Sequence, residues 1–357
     1  MPETNRCSLN PTKHILYLSF LLIAFPIQIY AQKETPKKKE NYRVRMERFR
    51  VKKKDYKKYR YYAAGGSFNF LTYFGDLAPA NNILSTEFSQ IKPGVSAFFQ
   101  YRYGPRMSLK AELLYGRLTG DDFTSADPND AQAKGRYIRN LSFRNDVLDF
   151  SVMSQIYIFK NYLDFKQRKF FNIYLNGGFS VFYHNPKGKV PEFKVNDERF
   201  PNYGKWVALR PLGTEGQFSD HYETKSYSNI QFSIPFGGGL VFRLNDRLDL
   251  TFEVNYRVLL TDYIDDVSGT YVDPGALDND LAKSLSDRSL EEYSIMTGKE
   301  RDLSDLEVTS YVSPFDGNRY NILTERGSIR GGPSNDTYLV TSFKISYVLN
   351  KTKSSEN

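Results

Sequence analysis

The sequence has little of the residues from which enzymes and disulfide-bonded proteins build their sites. Among 357 residues it has one cysteine, Cys7, one tryptophan and three histidines. A single cysteine excludes an internal disulfide framework and a multi-cysteine metal site. The histidines, His14, His184 and His221, show none of the paired spacings of zinc enzymes. We therefore expect no enzymatic activity, no catalytic residue, no cofactor and no metal.

Long hydrophobic runs are also scarce. Beyond its first 31 residues the chain has no stretch of 18 apolar residues, which excludes a helical membrane protein. The mean hydropathy is −0.54. Yet phenylalanine and tyrosine number 27 each. Few long apolar runs combined with many aromatic residues are typical of membrane β-barrels.

The start of the chain resembles an export signal. Two basic residues precede an apolar run at 15–29, which ends near the small residue Ala31. This order predicts a secretory signal peptide over residues 1–31. The alternative is an uncleaved transmembrane anchor, but Pro26 interrupts the run, and a span needs about 20 residues.

A strongly basic segment follows at residues 32–60. It holds fourteen basic and four acidic residues, a net charge of +10, whereas the whole chain has +8. Two interpretations stay open: a solvated, disordered segment, or a surface that docks onto an acidic partner or anionic lipid. The docking residues would be Lys52, Lys53, Lys54, Lys57 and Lys58. Nucleic acid is not expected as a partner of an exported chain.

The remaining chain alternates in polarity. At 94–103, every second residue from Val95 to Tyr103 is apolar, whereas the other face carries Gln100 and Arg102. A strand points successive side chains to opposite faces, so each such segment has one apolar side. Eight segments read this way, at 63–73, 94–103, 108–116, 148–158, 171–181, 231–243, 250–258 and 339–347.

The gaps between these segments are alternately long and short, which predicts the fold. Membrane barrels keep short turns in the periplasm and long loops outside. The sequence thus predicts an all-β, eight-stranded antiparallel up-and-down transmembrane β-barrel over residues 61–350 in the outer membrane. It would have long extracellular loops, a tail at 351–357 and both termini in the periplasm. A short helix is predicted at 278–293. The alternative is a soluble β-sandwich or lipocalin-like barrel, with its apolar face inside.

The non-apolar face of the predicted strands carries charge of both signs. The residues are Arg102, Lys110, Glu112, Asp149, Glu253, Arg257 and Lys344. Because an eight-stranded barrel leaves just enough interior for side chains, we expect these charges to pair there. A plugged lumen without a pore follows.

Six strings lie at strand ends or in the long connections. Two are specific: Pro-Leu-Gly-Thr-Glu-Gly-Gln at 211–217 and Asp-Tyr-Ile-Asp-Asp-Val-Ser at 262–268. The others occupy 73–77, 114–122, 139–144 and 330–336. The set resembles the PorG-like family of Bacteroidota outer-membrane barrels, which is associated with the type IX secretion system. The residues that carry the resemblance are Gly75, Asp76, Asp121, Asp122, Arg139, Pro211, Gly213, Glu215, Gly216, Asp262, Asp265, Asp266 and Arg330.

The resemblance implies a non-enzymatic component of a protein export machine. Such a component would contact outer-membrane lipid and the lipoprotein of a periplasmic ring, without a small-molecule substrate. A structural or adhesive barrel with ligand-binding loops is the alternative. A lipid-modifying barrel enzyme would need a Ser/His pair at the outer leaflet, for which His184 is the one candidate.

Overall fold

The computed structural model describes residues 60–78, 90–127, 130, 133–161, 165–195, 197–332 and 334–349. The predicted signal peptide, the basic segment up to residue 59 with its five docking lysines, and the C-terminal tail lie outside these residues. In the described part of the chain, no helix is long and apolar enough to cross a bilayer.

Eight long strands form a closed antiparallel barrel. They are β1 (Tyr61–Phe74), β2 (Lys92–Arg102), β3 (Met107–Asp121), β4 (Ser142–Tyr157), β5 (Phe171–Tyr183), β8 (Ile230–Arg243), β9 (Leu248–Leu259) and β12 (Thr337–Val348). Each strand pairs with the next one in this order. The barrel closes where β1 pairs with β12, from Ala63 opposite Val348 to Phe74 opposite Thr337. The predicted fold class is confirmed.

The burial of side chains is the reverse of that in a soluble barrel. Outward-facing Phe99 and Phe343 are 47% and 50% exposed, whereas inward-facing Lys110 and Glu253 are 1% and 0% exposed. In water, apolar side chains would bury and charges would stay outside. A lipid environment favours this arrangement, with apolar groups outside and polar groups inside. The soluble alternative is therefore wrong.

The outward apolar band has the height of a bilayer core. It runs from Leu148 on β4 to Ile158, the first residue after this strand, and every second residue between them faces outward. Ten residues at about 3.3 Å each, on strands tilted by about 40°, span roughly 25 Å. This height matches the apolar band of membrane barrels.

Short and long connections lie at opposite ends of the barrel. The connections at 103–106, 158–170 and 244–247 are short, and we call this the short-turn end. The connections at 75–91, 122–141, 184–229 and 260–336 are long and define the long-loop end. Because β1 starts and β12 finishes beside the short turns, both ends of the barrel domain emerge there.

The long connections contain short elements of their own. These are helices α1 (Asp122–Ser125), α2 (Lys134–Arg139) and α3 (Asp280–Ser286), strands β6 (Pro186–Lys189) and β7 (Trp206–Ala208), and the hairpin of β10 (Thr309–Val312) with β11 (Arg319–Ile322). Strand β6 pairs with the upper end of β4, and β7 pairs with β6. The barrel wall therefore continues beyond the apolar band on this side.

The short helix predicted between residues 278 and 293 is present as α3, but it does not extend to Leu290. Helix α3 begins after Asn279, whose side chain caps it by accepting a hydrogen bond from the amide of Ala282 (2.8 Å). It ends at Ser286, because Asp287 adopts an extended conformation. Leu290 is 40% exposed and lies outside the helix, so its helical spacing in the sequence is coincidental.

Candidate functional site: a filled lumen under a hydrogen-bonded cap

The middle of the lumen holds a neutral group of four charges, which we call the lumen quartet. It consists of Lys110, Glu112, Glu253 and Lys344. Lys110 Nζ lies 2.7 Å from both carboxylate oxygens of Glu253 and 3.1 Å from Glu112 Oε2. Lys344 Nζ contacts both glutamates. Alternating signs around the ring offset the cost of burying four charges, since each charge has an opposite neighbour.

A second neutral contact lies next to the quartet, towards the long loops. Arg257 Nη1 is 3.1 Å from Asp149 Oδ1. The other carboxylate oxygen of Asp149 accepts hydrogen bonds from Tyr338 (3.0 Å) and Ser180 (3.1 Å). These two clusters bring together six of the seven predicted lumen charges.

The seventh residue, Arg102, lies apart at the short-turn end. Its guanidinium donates to the backbone oxygens of Gly104 (3.0 Å) and Pro105 (2.7 Å) and lies 3.8 Å from the centroid of the Tyr157 ring. It therefore fixes a turn. Beside it a cavity of about 50 Å³ reaches inward to the quartet.

Above the charges, an apolar layer crosses the lumen. Its side chains are nearly completely buried and include Leu71, Leu114, Phe143, Val147, Phe182 and Val340. The alternating pattern places Val340 inward but predicts a lumen filled by paired charges, so the apolar layer as a whole was not predicted. Apolar side chains occupy the lumen above the two charge clusters, on the side of the long loops.

The long-loop end is closed by a network of buried polar groups, which we call the cap. Arg139 donates to both carboxylate oxygens of Asp122 (2.7 and 2.8 Å), to the backbone oxygen of Asp76 (2.6 Å) and to that of Arg330. Arg330 in turn donates to Glu215 (2.6 Å) and to the backbone oxygen of Asp266 (2.9 Å). Two arginines thereby join all four long connections.

Aspartates complete the cap. Tyr73 Oη lies 2.6 Å from Asp265 Oδ2 and 3.0 Å from Asp336 Oδ1. The carboxylate of Asp266 accepts from Thr214 and Tyr227, both at 2.6 Å. Thus, of the residues that carry the family resemblance, the structure brings together Asp76, Asp122, Arg139, Glu215, Asp265, Asp266 and Arg330.

The remaining family-like residues shape the backbone or sit at the edge of the cap. Asp262 accepts from the hydroxyl of Ser268 (2.8 Å). A Cβ atom at position 75 would lie 2.0 Å from Asp336 Oδ1, so only glycine leaves room for the contact between Asp336 and Tyr73. Pro211 and Gly213 form the turn before Glu215, and Gly216 takes a positive φ directly after it. Asp121 is the last residue of β3, directly before Asp122 of the cap.

Carboxylates outnumber arginines in the cap, and burial shifts their titration. Burial raises the pKa of Glu215 to about 7 and that of Asp262 to about 7. Burial and the neighbouring Asp76 carboxylate raise the pKa of Asp265 well above its usual range. Burial also raises the pKa of Asp336, with the Asp265 charge as a further cause. Part of the cap is therefore protonated near neutral pH.

The cap contains residues that the sequence analysis did not single out. Tyr73, Thr214 and Asp336 stand inside the quoted strings, so the strings were the available signal. Tyr227 and Asn145 stand outside them. Asn145 donates to the backbone oxygen of Ile264 (2.6 Å) from inside the barrel wall, and nothing in its local sequence indicates this contact.

His184 is a structural residue of the cap. It is fully buried, and its Nε2 donates to the backbone oxygen of Ser228 (3.0 Å). Burial lowers its pKa to about 4, so the ring is neutral. Its partners are a backbone carbonyl and the amide of Asn145, not a serine hydroxyl. In the described part of the chain, no group of three or more His, Cys, Asp or Glu side chains could hold a metal ion.

Comparisons with known proteins give structural likenesses only. No protein-family model matches the sequence, and no curated protein matches it. Similar solved structures include the outer membrane protein OprG from Pseudomonas aeruginosa, with 9% identity, 82% of this chain and 98% of that chain covered, and a TM-score of 0.36. Ail, the attachment invasion locus protein of Yersinia pestis, has 8% identity, 81% and 97% coverage and a TM-score of 0.30.

Neisserial surface protein A is similar at 9% identity, with 81% of this chain and 96% of that chain covered and a TM-score of 0.29. The resemblance to the PorG-like family stays a prediction. The fold itself rests on the strand pairings and on the inverted burial: the described chain is a closed eight-stranded β-barrel with a lipid-facing exterior.

Proposed function

We propose that this protein is a non-enzymatic β-barrel of the outer membrane that serves as a membrane anchor for other proteins. The observation that supports this proposal most directly is the filled lumen. The lumen quartet, the Asp149–Arg257 contact and the apolar layer occupy successive levels of the interior. A barrel that is filled along its axis and capped at one end suits a fixed support better than a channel.

The finer proposal is a component of the type IX secretion system. Its support is the position of the family-like strings. Their charged residues are buried against one another in the cap, where they fix the four long connections. A shared structural role explains why such strings would be kept together in one family of capped barrels.

The proposed partner is the lipoprotein of a periplasmic ring. Strand β1 begins at the short-turn end, so the basic segment at 32–60 joins the barrel there. With short turns in the periplasm, Lys52, Lys53, Lys54, Lys57 and Lys58 would precede the barrel on the side where a periplasmic assembly could be reached.

Two experiments test this function. Deletion of the gene should abolish export of proteins that carry the C-terminal sorting domain, and normal export would contradict the secretion role.

Photo-cross-linkers placed at residues 52–58 should capture the ring lipoprotein. Replacing the five docking lysines with glutamine should reduce capture while the barrel still assembles. Capture that does not depend on these lysines would contradict docking through the basic segment.

A structural or adhesive barrel is the second candidate, favoured by exposed apolar side chains on the long connections. Phe193, Tyr203 and Phe218 are 54%, 48% and 50% exposed. Residues 191–195 and 197–204 belong to an arm outside the cap, which is closed where the backbone amide of Val190 donates to the backbone oxygen of Lys205 (2.9 Å). Replacing this arm with an Asn-Gly turn should abolish surface binding in an adhesin and leave export intact. Lost export with unchanged surface binding would contradict the adhesive role.

A further inference from the structure

The lipid-facing band has a defined upper edge on one side of the barrel. Four neighbouring strands, β3, β4, β5 and β8, each place one exposed side chain at the same level. These paired side chains are 44–57% exposed, and they are Tyr115, Leu148, Tyr183 and Ile230. Inward-facing Val147 is fully buried, so the exposed side chains at this level point away from the barrel. They mark where the hydrocarbon of the bilayer ends.

Immediately above this edge, the outer wall becomes basic. Two residues further along, Arg117 is paired with Asp146. Two residues beyond that, Arg144 on β4 is paired with Lys187 on β6, and Lys189 is paired with Trp206 on β7. At about 3.3 Å per residue, these levels lie roughly 5–15 Å above the apolar edge once strand tilt is included. This is the height of lipid headgroups.

We call these residues the wall patch: Arg117, Arg144, Lys187, Lys189 and Trp206. All five are partly exposed. The cations cluster around the indole of Trp206, which lies 5.3 Å from the guanidinium carbon of Arg144 and 5.7 Å from Lys189 Nζ. The ring provides a rigid flat surface between two basic side chains.

The wall patch has more cations than its own acid can neutralise. Arg117 Nε and Arg144 Nη2 share one carboxylate, that of Asp146, at 2.6 and 3.2 Å. Lys187 forms no ion pair with a described residue. Lys189 Nζ donates to the backbone oxygen of Ile295 (3.2 Å). Arg144 Nε is buried and has no hydrogen-bond partner in the described part of the chain. Four cations therefore face one anion, with donors left over.

We propose that the wall patch binds the phosphorylated saccharide headgroup of an outer-leaflet lipid. Arginine and lysine donors bind phosphate through strong charge-assisted hydrogen bonds. Cationic residues beside a membrane surface attract anionic headgroups, and an exposed aromatic ring can pack against a sugar. The patch lies on the lipid-facing wall, one step above the hydrocarbon, so an acyl chain of the same lipid can lie along Tyr115 and Leu148.

This inference rests on the proposed orientation, with the long loops outside the cell. The two ideas can fail separately. Binding in detergent micelles does not depend on which way the barrel faces. A wrong orientation would instead appear as protection of the long loops from protease added to intact cells.

Trp206 is the one tryptophan of the sequence, so it reports on the wall patch directly. The purified full-length protein is titrated in micelles with bisphosphorylated lipid A, and the emission of Trp206 is followed. We expect a saturable change. Dephosphorylated lipid A should give none at the same concentrations, and inorganic phosphate should bind at least about tenfold more weakly because it brings no acyl chain or sugar.

A variant and a matched control complete the experiment. Arg144→Gln combined with Lys187→Gln should weaken lipid A binding at least tenfold. Arg106→Gln combined with Lys166→Gln removes two exposed cations at the short-turn end and should leave binding unchanged. Because Arg144 contacts the fluorophore, lipid A that co-purifies with each variant is also quantified by mass spectrometry, and circular dichroism verifies that both variants fold.

Three results would overturn the proposal. Equal responses to phosphorylated and dephosphorylated lipid A would remove the role of phosphate. An equal response to inorganic phosphate would indicate a site for free anions and not for a lipid. Unchanged co-purification of lipid A with the folded Arg144→Gln, Lys187→Gln variant would show that the wall patch does not hold the lipid.

Discussion

At the scale of single residues, Arg139 is one of the two arginines that hold the cap together. Its guanidinium contacts three long connections at once. Removing one partner of a buried ion pair leaves an uncompensated charge. We predict that Arg139→Ala lowers the free energy of unfolding by about 3–5 kcal/mol, measured by urea unfolding in micelles.

Arg199→Ala is the matched control for this prediction. The side chains of Arg199 and Glu192 form an ion pair, and they are 66% and 38% exposed. Exposed pairs contribute little, so we expect a change of at most about 1 kcal/mol. Equal losses from both variants would contradict a special role for Arg139.

The second residue-scale prediction concerns Asp265 and pH. Tyr73 Oη lies within hydrogen-bond distance of both Asp265 and Asp336, and burial raises the pKa of both carboxyl groups well above the usual range. A carboxyl whose pKa is raised by folding stabilises the folded state at low pH, and this contribution is lost as the pH rises through the folded pKa. Because the pKa of Glu215 and that of Asp262 are about 7 in the folded protein, part of this loss of stability occurs near pH 7.

We therefore predict that amide hydrogen exchange at 262–268, corrected for intrinsic rates, becomes faster between pH 5 and pH 8. In the Asp265→Asn variant the side-chain amide is a hydrogen-bond donor at every pH. This variant should slow amide hydrogen exchange at pH 8 by roughly tenfold, the equivalent of about one pKa unit. Exchange that slows with rising pH in the wild-type protein would contradict this account of the cap.

At the scale of elements, β8 is held close to its neighbours by glycine. A Cβ atom at Gly239 would lie 2.5 Å from the ring of Tyr174, whose hydroxyl donates to Glu253 of the lumen quartet. We predict that Gly239→Ala costs about 1–3 kcal/mol in unfolding free energy through overpacking. Outward-facing Gly66 has its nearest neighbour at 3.5 Å. Gly66→Ala should change stability by at most about 0.5 kcal/mol, and a similar loss at both positions would contradict the packing argument.

The strands could be predicted from the sequence because lipid imposes one rule on all of them. Phe343 must face outward and Lys344 inward whatever else the chain does, so a period of two is visible locally. The short strands β6 and β7 follow no such rule and are too brief to show a period. They were found only in the structure.

The cap could not be predicted from spacing. Arg330 and Glu215 are 115 residues apart, and Tyr73 and Asp336 are 263 apart. Contacts over such distances depend on how the barrel brings its loops together. The quoted strings indicated which residues matter, but their partners came from the fold.

At the scale of the whole molecule, the filled lumen predicts that the barrel does not conduct ions. The lumen quartet and the apolar layer occupy successive levels between the two ends. We predict that purified protein in a planar bilayer shows no stable, large single-channel conductance. A pore-forming barrel measured in parallel verifies that insertion is detected. Stable large openings would contradict the filled lumen.

The central claim is the allocation of surfaces: apolar side chains towards lipid, charged side chains towards a closed interior. Spin labels scanned one by one along residues 339–347 of β12 test it most directly in reconstituted protein. We predict maximal collision with lipid-soluble oxygen at the odd-numbered positions and minimal collision at the even-numbered ones, where Ser342, Lys344 and Ser346 are buried. Odd-numbered positions reached instead by a water-soluble reagent, or no alternation at all, would contradict the account.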